Sequence, residues 1–124
     1  MDDTLYDRVG GEDWFVALVD RFYVLVEDDP RLRPLYPEDL SEPRRNLANF
    51  LAQYWGGPQA YSLERGHPRL RMRHAPFPIG RPERDRWFEH MTAAVRGGGL
   101  NHADEQELLV YFDMAATAMI NLTS

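Results

Sequence analysis

Apolar residues recur at three- and four-residue steps along most of the chain, a rhythm that predicts helices. Between Glu12 and Val26, the residues Phe15, Leu18, Val19, Phe22 and Val26 form one face, and Asp28-Asp29-Pro30 is the stop. Tyr23 sits at the edge of that face, one turn beyond Val19. A second helix opens at Ser41-Glu42-Pro43, a cap residue followed by acid and proline, and carries Leu47, Phe50, Leu51 and Tyr54 to a stop at Gly56-Gly57-Pro58. A third opens at Gly80-Arg81-Pro82-Glu83, carries Trp87, Met91, Ala94 and Val95, and ends at Gly97-Gly98-Gly99. In the fourth, capped by Asn101 or Asp104, Leu108, Phe112, Ala115, Met119 and Leu122 share a face. A short helix over Thr4–Val9, capped by Thr4, precedes them.

The connecting stretches carry weaker signals. Residues 31–40 read as turn material, with Leu35 and Tyr36 an apolar pair before a proline. Gln59 to Pro68 reads as a loop holding one turn at most. Leu70 to Ala75 is short, helical or extended, and the alternation Arg69-Leu70-Arg71-Met72-Arg73 matches an edge strand at period two. With no other strand run, repeat or linker, the pattern predicts an all-α fold of four substantial helices in a single domain over residues 1–124.

Composition narrows the chemistry. At 44% hydrophobic and 12% aromatic residues, the chain is globular in character. Its net charge of −6 argues against general nucleic-acid binding. Arginines nevertheless cluster between 65 and 86, a local basic patch suited to a small anionic ligand. Cysteine is absent, which excludes disulfides, thiolate metal sites and haem attached through a Cys-x-x-Cys-His run. The acidic start Met1-Asp2-Asp3 lacks an apolar signal region, and no apolar run approaches a membrane span; the expected location is the cytoplasm.

The densest chemistry lies in Gly66-His67-Pro68-Arg69-Leu70-Arg71-Met72-Arg73-His74-Ala75-Pro76-Phe77-Pro78. His74, held between a short segment and two prolines, is a candidate axial ligand of a haem iron, which is commonly held by one neutral imidazole. Arg69, Arg71 and Arg73 would suit carboxylate side arms, because guanidinium pairs with carboxylate in a bidentate fork. Taken alone, His74 reads as readily as a hydrogen-bonded core or surface residue, and His90 and His102 read as solvated helix positions.

Longer blocks extend this picture. Tyr6-Asp7-Arg8-Val9-Gly10-Gly11, Arg21-Phe22-Tyr23, Tyr36-Pro37-Glu38-Asp39, Gln53-Tyr54-Trp55-Gly56-Gly57-Pro58, the block from Arg65 to Phe77, and Glu83-Arg84-Asp85-Arg86-Trp87 follow in order along nearly the whole chain. Together they resemble the truncated haemoglobins, specifically their second group. That resemblance implies a two-over-two helical sandwich around a non-covalent haem b, with His74 as the proximal ligand. It implies distal polar roles for Tyr23, Tyr36 and Trp87, and apolar walls from Leu47 and Phe50. Phe77, at the end of the histidine block, joins the cofactor-binding set. The small residue that the family has at the distal entrance falls near Pro43, so no distal histidine is expected.

The expected ligands are dioxygen, carbon monoxide, nitric oxide or peroxide. Three donors around dioxygen would hold it too firmly for ordinary delivery, which favours redox chemistry of the nitric oxide dioxygenase or peroxidase kind. That chemistry needs a separate reductase, since the sequence offers no reductase domain. The alternatives are an oxygen carrier, store or sensor without turnover, and a ligand-free helical interaction module. A homodimer is among the assemblies open to the chain.

Overall fold

The computed structural model describes residues 3–122, and every element in that range is helical. In chain order these are α1 (Leu5–Arg8), α2 (Glu12–Glu27), a 3₁₀ turn (Arg33–Leu35), α3 (Ser41–Tyr54), α4 (Ala60–Arg65), α5 (Leu70–His74), α6 (Arg81–Arg96) and α7 (His102–Ala118). α2 packs on α3, α6 packs on α7, and α2 meets α6 across the middle. The result is a two-over-two sandwich, as the resemblance implies.

The four long helices form where the apolar rhythm puts them. Phe15, Leu18, Val19, Phe22 and Val26 of α2 are all buried, and Tyr23 is buried with them. They meet Met91, Ala94 and Val95 of α6 and Leu108 and Phe112 of α7 in one core. Local chemistry marks the ends. The Thr4 hydroxyl accepts the Asp7 N–H at 3.1 Å, and the Asn101 side chain accepts the Asp104 N–H at 2.8 Å, so Asn101 is the cap of α7. Glu83 reaches back to the Gly80 N–H at 2.8 Å to cap α6.

Several expectations are corrected or decided by the structure. Leu40, not Ser41, is the cap position of α3; Ser41 is the first helical residue, and its N–H is taken by Asp39 at 2.9 Å. The stretch after Pro58, expected as a loop holding one turn at most, holds the six-residue helix α4. Gln53 makes it possible, donating to the Ser62 hydroxyl at 2.7 Å and accepting the Ser62 N–H at 2.9 Å, while Tyr61 is buried. Residues 70–74 are helical, which decides between the helical and extended readings and makes the strand-like alternation a coincidence of composition. Leu122 lies beyond the end of α7 and is 45% exposed, and Tyr54 is 50% exposed rather than on the buried face of α3. No described helix is long and apolar enough to cross a membrane.

Candidate functional site

Between the two helix pairs lies a mainly apolar cavity of about 370 Å³, within the usual size range of small-molecule sites. Three elements bring polar groups to its wall: α2 supplies Tyr23, the residue after the 3₁₀ turn is Tyr36, and the first half of α6 supplies Trp87. The Tyr23 and Tyr36 rings meet edge to face at 5.5 Å. Phe22 packs its ring against both Tyr23 (5.1 Å) and Trp87 (5.3 Å), so one buried phenylalanine spaces the donor set.

Burial sets the protonation of these phenols. It pushes the Tyr36 hydroxyl up to about 12, against an opposing hydrogen-bonding influence from Trp87. The Tyr23 hydroxyl is raised further, first by burial and then by the neighbouring Tyr36, with Arg44 pulling the other way. Both therefore stay neutral O–H donors at neutral pH.

His74 lines the same cavity from the end of α5. Its Nδ1 lies 2.7 Å from the Leu70 carbonyl oxygen, which can only accept, so Nδ1 carries the proton and Nε2 keeps its lone pair for a metal. The segment is fastened from several sides. Arg73 donates to the carbonyls of Pro68 (2.7 Å) and Arg65 (2.8 Å). Arg71 donates to Ala118 O at 2.7 Å, beyond the cavity wall. Asn121, past the end of α7, donates to the Phe77 carbonyl at 2.8 Å and accepts the Ile79 N–H at 2.9 Å.

Leu47, Phe50, Phe77, Arg73 and Pro43 join the lining, so most of the residues singled out from sequence share one space. Arg69 and Arg71 are exposed and off the lining; Arg69 takes a left-handed backbone conformation at the start of α5. Sequence reasoning missed Asn46, Tyr61, Arg84, Tyr111 and Asn121. Tyr111 was recoverable, because it precedes Ala115 and Met119 at four-residue steps and all three face the cavity. Buried Arg84, whose guanidinium pairs with Asp113 and bonds Thr117 Oγ1 at 3.1 Å, carries no such signal. Nor is His90 the solvated residue expected: it is half-buried, with Nε2 2.6 Å from Asp29 Oδ2.

These features fit a flat, apolar iron ligand carrying acidic edges. The space is enclosed by hydrophobic side chains, one imidazole offers a lone pair to it, and a guanidinium stands on its wall. Comparison with known proteins gives an independent view. A family model described as bacterial-like globin matches residues 4–121. The group 2 truncated hemoglobin YjbI of Bacillus subtilis is 42% identical over 118 residues, spanning 95% of this chain and 89% of that protein. A thermostable hemoglobin from Thermobifida fusca superposes with a TM-score of 0.96 at 53% identity, over 98% of this chain and 100% of the other. A truncated haemoglobin from Bacillus subtilis, described as oxygen-avid, superposes at 0.90 with 39% identity, over 96% of this chain and 100% of that one.

Proposed function

The chain belongs to the bacterial-like globins, among the group II truncated haemoglobins, and from that premise we propose that it holds haem b on His74 and retains dioxygen tightly for redox turnover. The observation that supports this reading is the company His74 keeps: Tyr23, Tyr36 and Trp87, three neutral donors, line the cavity that its Nε2 serves.

The bound haem would supply an iron that takes a diatomic ligand or peroxide and exchanges electrons with it. The protein supplies the rest. His74 holds the cofactor in one orientation, because the Leu70 carbonyl fixes its tautomer. Leu47, Phe50 and Phe77 exclude water and keep the local dielectric low. Arg73, on the cavity wall, would pair with a carboxylate side arm of the haem; Arg69 adds positive charge outside, and Arg71 ties the segment to the end of α7. Tyr23, Tyr36 and Trp87 donate hydrogen bonds to the ligand. Each such bond to a group carrying negative charge contributes about 1.5–3 kcal/mol, which slows release by on the order of tenfold to a hundredfold.

Retention of that order suits conversion better than delivery. Nitric oxide and dioxygen with one electron give nitrate; peroxide with two electrons and two protons gives water. A separate reductase supplies the electrons in either case. The whole 124-residue chain acts as one domain in this scheme.

The test is spectroscopic. Purified protein with added hemin is expected to form a one-to-one complex, with a five-coordinate ferrous form and a stable oxygenated form. His74→Ala is expected to abolish stable uptake, or to leave a product that added imidazole restores. An unchanged haem spectrum in that variant would overturn the assignment. Oxygen off-rates and turnover with nitric oxide or peroxide then separate conversion from carriage.

A further inference from the structure

Asp29 is one of two charged residues buried in the described structure, and the site as derived above leaves it without a role. Its side chain is 1% exposed. It sits just past the end of α2, where Oδ1 accepts the backbone N–H of Arg31 at 2.8 Å. Its other oxygen, Oδ2, reaches across to α6, accepting Arg86 Nε at 3.0 Å and facing His90 Nε2 at 2.6 Å. Although burial opposes it, these hydrogen bonds hold the carboxyl well below the usual range, so Asp29 is a carboxylate and His90 Nε2 is the donor.

The placement of those two partners is what matters. Residues 86 and 90 stand one turn apart on a single face of α6, and Trp87 lies between them in sequence. Elsewhere α6 is fixed near its C-terminal end, where Arg21 Nε donates to Ala94 O at 2.9 Å and Trp14 donates to Gly98 O at 3.0 Å. At its start Glu83 accepts from Arg31 at 2.9 Å, an exposed contact. The turn that carries Trp87 is held from two sides: on the α7 side buried Arg84 pairs with Asp113 and bonds Thr117 Oγ1, and on the α2 side the buried carboxylate grips the residues that flank Trp87. Side-chain tips lie roughly 5–6 Å from a helix axis, so turning α6 by about 20° moves a tip by about 2 Å. A hydrogen bond tolerates only a few tenths of an ångström around its preferred length.

We propose that Asp29 is a positioning residue for the ligand-binding site: by gripping Arg86 and His90 it fixes the rotation of α6 and so aims the Trp87 N–H at the ligand. The inference rests on Trp87 being a donor, as set out under the proposed function. It adds a residue outside the cavity wall whose charge governs retention.

The test is a double-mutant cycle on the haem-loaded protein. Trp87→Phe is expected to speed oxygen release on the order of tenfold to a hundredfold. Asp29→Asn, which replaces an acceptor by an amide that cannot satisfy both donors, is expected to speed it roughly three- to tenfold. The double variant is expected to match Trp87→Phe alone, because Asp29 acts through the indole. The carbon monoxide stretching frequency should shift in the same direction in both single variants. In the haem-free protein, Asp29→Asn should alter the near-ultraviolet circular dichroism, and a Trp87→Phe background should erase that change.

His90→Gln keeps an N–H donor for Asp29 and should retain the parent off-rate; His90→Leu should follow Asp29→Asn. These two variants carry the test if Asp29→Asn does not fold. A lower melting temperature with unchanged off-rate and carbon monoxide frequency would reduce Asp29 to a structural staple and overturn the proposal. Effects that multiply in the double variant would overturn it as well, placing the action of Asp29 elsewhere than on Trp87. If Trp87→Phe alone leaves the off-rate unchanged, the donor role of Trp87 falls and this inference falls with it, a pattern unlike either of the other two.

Discussion

Gly57 shows how much one absent atom can fix. A β-carbon there would collide with the Tyr6 ring and stand 2.8 Å from the Ala52 carbonyl oxygen. The backbone around it is already committed, since Gly57 N–H donates to Ala52 O at 2.8 Å and Tyr6 N–H donates to Trp55 O at 3.0 Å. The glycine lets α1 dock on the end of α3. Gly57→Ala is expected to destabilise the fold by about 1–3 kcal/mol, as overpacking does, with the denaturant midpoint moving and the slope unchanged. A midpoint equal to the parent's would mean that α1 shifts without loss. At this same scale His74 has its tautomer settled by one carbonyl and Tyr36 its protonation settled by burial. Neither fact is visible in the residue names.

At the scale of elements, the long helices answer to local rules, and α4 and α5 do not. α7 begins where Asn101 can accept the Asp104 N–H, and Asn101→Ala is expected to cost about 1 kcal/mol in a urea titration. If the loss is below a few tenths, solvent or a neighbour is capping the helix in its place. α4 and α5, of six and five residues, are too short to be stable alone. α4 leans on Gln53 and on burial of Tyr61; α5 leans on Arg71 and on Asn121, some fifty positions along the chain. Their helicity is a product of docking, so a window of sequence offers a loop in one place and an ambiguous alternation in the other. Tyr54 misleads for a related reason. It fits the apolar period of α3, yet it stacks at 4.2 Å on Tyr111 of α7 and leaves half its surface in solvent.

For the molecule as a whole, the cavity imposes a pH signature. Burial raises the Tyr36 and Tyr111 hydroxyls to about 12 and the Tyr23 hydroxyl further still. In the unfolded chain each ionises near pH 10. Between about pH 10 and 12 the unfolded state therefore loses protons that the folded state keeps. The stability these tyrosines contribute is full below pH 10 and is lost as pH rises through that window. Denaturant midpoints should fall steeply there, while tyrosinate absorbance of the native haem-free protein should show Tyr23, Tyr36 and Tyr111 titrating late. Ionisation of these three near pH 10 would mean the cavity is wet and open.

The sequence by itself determined the four long helices, most positions of their buried faces and the family. Apolar periodicity and capping residues act within a few turns, and the blocks around Gly56-Gly57-Pro58 and His74 are long enough to be distinctive. It also placed Tyr23, Tyr36, Trp87 and His74 in one candidate site through that resemblance. Only the tertiary structure decided which of Arg69, Arg71 and Arg73 faces the cavity, that Arg84 lines it, and that Asp29 and His90 lie against each other. Those outcomes depend on contacts between residues tens of positions apart, and on the competition between desolvating a charge and pairing it. No local pattern along the chain encodes either.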